Sequence, residues 1–115
     1  MRKKKYLSEF SLWAHNREVY NVVVALCADY ERRKKEIAKG KIDSVHLEYY
    51  KVLNDAIDRA LEQAVDSDIR EQMLIDISNR TGHRKSKCCL YMHGNTFKAQ
   101  KSETVYHIAK NLQLI

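Results

Sequence analysis

Residues 81–115 read TGHRKSKCCLYMHGNTFKAQKSETVYHIAKNLQLI, and the division of this stretch decides the fold. His93-Gly94-Asn95 is a tight-turn signal. Ahead of it, the basic run from His83 to Met92 reads as a short helix. Cys89, Leu90 and Met92 would face inward there, and Arg84, Lys85 and Lys87 outward. Behind it, Asn95 is a favoured cap for a helix expected to reach Leu112. Phe97, Lys101, Val105, Ile108, Ala109 and Leu112 fall on one face of that helix. A short helix, a glycine turn and a longer helix with basic residues in its first turns is the outline of a helix-turn-helix.

Working towards the N-terminus, Asp68 and Glu71 have capping-box spacing, opening a helix that ends at Asn79 and Gly82 with Ile69, Met73, Leu74 and Ile77 inward. The most regular pattern precedes it. From a cap at Asp43 or Ser44 to Val65, the apolar positions Val45, Tyr49, Val52, Leu53, Ala56, Ile57, Ala60, Leu61 and Ala64 trace one amphipathic face. Before the Gly40 stop, residues 8–39 read as one long helix, with a break near His15-Asn16. Its apolar line is Val19, Val23, Leu26, Cys27, Tyr30 and Ile37, and its run from Glu31 to Glu36 reads as a charged C-terminal portion whose cations complement the helix dipole. The expectation is an all-α protein. A basic arm covers residues 1–7, a long N-terminal helical hairpin residues 8–65, and a C-terminal helix-turn-helix region residues 66–115.

Composition agrees with a helical protein: three glycines and no proline in 115 residues, with 44% hydrophobic and 31% charged. No apolar run approaches the ~20 residues of a membrane span, and no apolar h-region follows the basic start, so neither a membrane nor a signal peptide is expected. Three cysteines, two of them adjacent, make no disulfide framework, and a reducing cytoplasm is the expected setting.

The net charge of +6 is unevenly spread. Residues 1–41 carry 11 Lys/Arg against 5 Asp/Glu, residues 42–79 carry 3 against 9, and residues 80–115 carry 7 against 1. Two basic ends flanking an acidic middle suit a polyanion partner. The competing explanation is that the ends neutralise the middle within the fold or between subunits.

The chemistry-bearing residues point the same way. Asn95, Thr96, Lys98, Gln100 and Lys101 supply amide, hydroxyl and ammonium groups able to contact phosphates and base edges. Arg84, Lys85 and Lys87 add phosphate-facing charge. His83, Cys88, Cys89 and His93 lack the separated-pair spacing of a structural zinc site. The three glycines stand too far apart for a phosphate loop. No cofactor, no metal and no enzymatic activity are expected.

Asn95-Thr96-Phe97-Lys98, then Val105-Tyr106-His107-Ile108-Ala109 and the ending Leu112-Gln113-Leu114-Ile115, resemble the C-terminal end of phage transcriptional regulators of the RinA/ArpU type. The resemblance implies a small helical protein with a helix-turn-helix similar to region 4 of sigma factors, acting on late or packaging genes. It implies DNA as partner, with RNA polymerase as a further one. The expectation is therefore a DNA-binding regulator of phage or prophage origin, as a homodimer or higher oligomer. A helical oligomerisation or protein-interaction module, such as a phage assembly or small-terminase-like protein, is the alternative. RNA in place of DNA stays open.

Overall fold

A computed structural model of the chain describes residues 11–90 and 92–115. The expected basic arm 1–7 and the start of the first helix at residues 8–10 lie outside these. Among the described residues all regular structure is helical. The elements are α1 (Leu12–His15), α2 (Arg17–Ala28), α3 (Tyr30–Lys39), α4 (Ser44–Ala64), α5 (Arg70–Ser78), two 3-10 turns (His83–Lys85 and Lys87–Leu90) and α6 (Gly94–Asn111).

The single long N-terminal helix is in fact three pieces. The first break falls at Asn16, near where it was expected, and the Asn16 side chain accepts a hydrogen bond from Val19 N–H at 3.3 Å. The second, at Asp29, was not expected, since neither glycine nor proline marks it. It has a local cause. The Arg33 side chain folds back beneath the break, and its Nη2 donates to Leu26 O at 2.5 Å, the carbonyl that an unbroken helix would give to Tyr30 N–H. Arg33, inside the charged run, is buried.

Gly40, at φ 65°, turns the chain in the left-handed region that glycine enters without strain, and Asp43 caps α4 through its bond from His46 N–H. α3 and α4 then run antiparallel, tied by Tyr30 Oη to Asp58 Oδ1 (2.7 Å), Arg33 Nε to Asn54 Oδ1 (2.8 Å) and Arg32 Nη1 to Tyr50 Oη (3.3 Å). Arg70 closes the far end of α4 by donating to Val65 O at 2.8 Å and Leu61 O at 3.3 Å, satisfying carbonyls that the helix leaves orphaned.

One core joins α2, α4, α5 and α6. Val23, Val24, Cys27, Ile57, Ala60, Leu61, Val65, Ile69, Met73, Ile77, Phe97, Val105, Ile108 and Ala109 are all buried in it. The apolar face of α4 is core only in its C-terminal part. Val45 is 76% exposed, and Tyr49 and Val52 are also exposed. The reason is coverage: α6 packs on α4, its Asn111 Nδ2 reaching Ala56 O at 3.1 Å. Between residues 34 and 52 the hairpin tip has no buried residue.

α5 begins at Arg70 with no side-chain cap, so the Asp68-Glu71 box does not form. It ends in a Schellman motif, with Thr81 N–H bonded to Asp76 O (2.8 Å) and Arg80 N–H to Ile77 O (3.2 Å). The left-handed residue there is Arg80 (φ 57°), not Gly82. The basic run 83–92 is not an α-helix but the two 3-10 turns. At three residues per turn the inward phase changes. Cys88 is buried, while Cys89 and Leu90, expected inside, are exposed. Residues 79–93 therefore separate α5 from α6, far more than the three- or four-residue turn of a compact helix-turn-helix.

Candidate nucleic-acid interface

The connector after α5 is shaped by a buried carboxylate. Asp76 accepts from Gln72 Nε2 at 2.9 Å and from Ser86 Oγ at 2.5 Å, and Ser86 Oγ in turn accepts Cys88 N–H at 3.0 Å. A buried, fully engaged network fixes its members in one arrangement. It pins the connector at Ser86, midway between the 3-10 turns, and leaves Arg84, Lys85 and Lys87 exposed around it.

His83 ties the connector to the start of α6. Its Nε2 donates to Met92 O at 2.6 Å, and its ring stands 5.6 Å from that of Phe97, which α6 buries in the core. The result is an open cleft of about 520 Å³ lined by Arg80, Gly82, His83, Arg84, Lys85, Gly94 and Lys98. Four of these seven residues are cationic and none is acidic, so the cleft has an undiluted positive field. The α6 N-terminus opens onto it. His93 at the cap position offers no side-chain acceptor, so the first amide N–H groups of an 18-residue helix add their partial positive charge.

Of the residues expected to bind nucleic acid, the cleft gathers Arg84, Lys85 and Lys98. Lys87, Asn95 and Thr96 are exposed beside it. Asn95 lies inside the helix rather than capping it. Gln100 and Lys101 do not belong to this surface. Gln100 is half-buried, with Oε1 enclosed and without a hydrogen-bond partner among the described residues. Lys101 lies along the Phe97 ring and donates to Thr81 O at 3.0 Å. Burial pushes its pKa below the ordinary lysine value, against an opposing pull from the Asp76 carboxylate. Lys101 therefore fastens the connector to α6. Lys101→Met should lower unfolding free energy by about 0.5–1.5 kcal/mol in a urea titration, the scale of one lost hydrogen bond. It should leave polyanion affinity unchanged.

Arg80 is the cleft residue that the sequence pattern does not disclose. Its backbone bears the left-handed conformation, a cost of about 1–2 kcal/mol for a residue with a Cβ. Its side chain donates to Asn21 Oδ1 at 2.9 Å and lies 5.7 Å from the Tyr20 ring centroid. These contacts hold the guanidinium against α2 at the edge of the cleft that it lines.

A second cleft of about 400 Å³ lies beside the first, lined by His83, Cys89, Leu90, Met92, His93 and Gly94. Among the described residues no group of three or more His, Cys, Asp or Glu side chains is arranged to hold a metal ion. Cys27 is enclosed, and burial pushes its thiol up to about 12, which suits a packing role rather than a nucleophilic one. Among the described residues no helix is long and apolar enough to cross a membrane. Comparison with protein-family models, curated proteins and solved structures returned no match.

Proposed function

We propose that the chain is a non-enzymatic DNA-binding protein that holds the phosphate backbone in the cleft between the connector and the start of α6. The observation that carries this reading is the cleft's lining of Arg80, Arg84, Lys85 and Lys98, with no carboxylate among them, at the positive end of a long helix. Asn95 and Thr96, exposed in the first turn of α6, are the side chains in position to meet base edges once the backbone is seated. α5, the connector and α6 would then act as an extended form of the helix-turn-helix. The resemblance of residues 95–115 to RinA/ArpU-type regulators supports transcriptional control in a phage or prophage, in the cytoplasm, with RNA polymerase as a further partner.

The test is a salt titration of affinity for duplex DNA by fluorescence anisotropy. With four cleft cations each releasing a condensed counterion, log K against log salt should fall with a slope of about −3 to −4. Affinity should drop roughly 100-fold between 50 and 200 mM salt. No retention of duplex at 50 mM salt would overturn the reading.

A second reading, an oligomerisation or assembly module, is favoured by one observation. The uncovered apolar residues Val45, Tyr49 and Val52 follow one another at spacings of four and three along the distal half of α4. Light scattering separates it: a monomer at micromolar concentration that binds DNA rejects it.

A further inference from the structure

The basic cleft does not end at Arg80. From the Arg80 guanidinium a chain of close contacts leads away from α6 across α2 to α1. Arg80 lies 5.7 Å from the Tyr20 ring, and the Tyr20 ring meets Trp13 edge-on at 5.3 Å between centroids. Arg17 lies on the Trp13 ring at 3.8 Å. Trp13 nonetheless keeps 48% of its surface open. An indole is among the most costly side chains to leave in water, and here it carries the Arg17 guanidinium and is linked through Tyr20 to Arg80 of the cationic cleft. Glu18, the acid nearest Arg17 in sequence, is turned about 100° away from it around the helix.

We infer that this strip takes a single-stranded segment of DNA, with phosphates in the cleft and at Arg17 and an unpaired base stacked on Trp13. The inference rests on the DNA-binding reading of the cleft and extends it. A duplex cannot use such a strip, because its bases already stack on one another and offer only their edges in the grooves. An unpaired base offers a π-face, and an aromatic ring beside a cationic groove is the arrangement that accepts it regardless of sequence. Arg17 can exchange its ring contact for a phosphate oxygen while the stacked base covers the indole face that it leaves.

Trp13 is the sole tryptophan of the chain, so its fluorescence reports the site directly. The full chain is titrated with labelled oligothymidylate, with oligouridylate and with a duplex of equal length, and anisotropy and tryptophan emission are read together. Oligothymidylate should quench the emission in step with binding, and the duplex should bind without quenching. Trp13→Leu should weaken oligothymidylate about ten- to a hundredfold and leave duplex affinity unchanged, with Trp13→Phe recovering most of the loss. Quenching in the wild-type chain does not depend on any variant folding.

Oligothymidylate binding with unaltered emission, or affinity indifferent to Trp13→Leu, would overturn the inference while leaving the cleft's reading intact. Quenching by oligouridylate but not oligothymidylate would assign the strip to RNA and overturn it likewise. Loss of all binding, duplex included, would overturn both.

Discussion

Arg33→Ala should lower the free energy of unfolding by about 3–5 kcal/mol, read as a lower urea midpoint. Only 2% of the Arg33 side chain is exposed. Truncation removes a large buried side chain, and the void cannot close without moving α3 against α4. It also strips partners from Leu26 O and from Asn54 Oδ1, which is itself buried. Burial presses the guanidinium's pKa downward, and the Asp29 carboxylate resists. That carboxylate contributes little more, because it is 40% exposed and 3.4 Å away, so Asp29→Ala should cost under about 1 kcal/mol. Arg33→Met keeps most of the volume and should cost about 1–3 kcal/mol, chiefly for the orphaned Asn54 Oδ1. Pairing Arg33→Met with Asn54→Leu removes that orphan, so the double variant should be more stable than the sum of the single losses implies. A cost below about 1 kcal/mol for Arg33→Ala would mean that the break at Asp29 is not held by this side chain.

Arg33 also marks the limit of what periodicity discloses. Its neighbours Glu31, Arg32, Lys34 and Lys35 are exposed, as the sequence suggests. Its own burial depends on Asn54, far along the chain on another helix, and no local pattern announces such a partner. The same limit governs α4. Spacings of three and four identify its apolar face correctly from Val45 to Ala64. They cannot say where along the helix a neighbour stops covering that face. α6 reaches Ala56 and the stripe from Val45 to Val52 stays exposed, so one continuous pattern is surface at its start and core over the rest. The Gly40 stop and the Asp43 cap were legible, because they act through nearby groups, whereas the Asp68-Glu71 box and the Asn95 cap do not form.

The candidate site was legible as charge and illegible as shape. Arg84, Lys85 and Lys98 could be chosen from sequence because basic residues near a turn are exposed by default. Gln100 and Lys101 were misplaced because α6 meets α2, α4 and α5 at once, which draws its flanks inward along with its apolar line. Thr104, fully buried one position before Val105, shows that wider face, which the apolar spacing alone does not mark. Arg80 stayed hidden since nothing in an Asn-Arg-Thr-Gly stretch says that the arginine, rather than the glycine two residues on, adopts the left-handed conformation. The 83–92 run was phased at 3.6 residues per turn, and its 3-10 geometry moves the inward cysteine from Cys89 to Cys88.

Changing Arg84, Lys85 and Lys98 together to glutamate should reduce duplex affinity by about 100- to 1,000-fold at 100 mM salt, and should flatten the salt slope by about three. The two readouts answer different questions. A fall in affinity alone could follow from a disturbed fold, whereas the slope counts phosphates neutralised and changes only when cations leave the backbone. Stability should hold within about 0.5 kcal/mol, since all three side chains are exposed and none is part of the Asp76-Ser86 network that fixes the connector. Lys98→Gln alone should lower the slope by about one. Lys101→Met is the matched control: it removes a lysine three positions further along the same helix, yet that ammonium is committed to Thr81 O, so stability should fall and the slope should not. If the triple variant kept both the affinity and the slope of the parent chain, phosphate binding would have to lie elsewhere. If Lys101→Met flattened the slope, the boundary drawn between the cleft and the core-facing flank of α6 would be wrong.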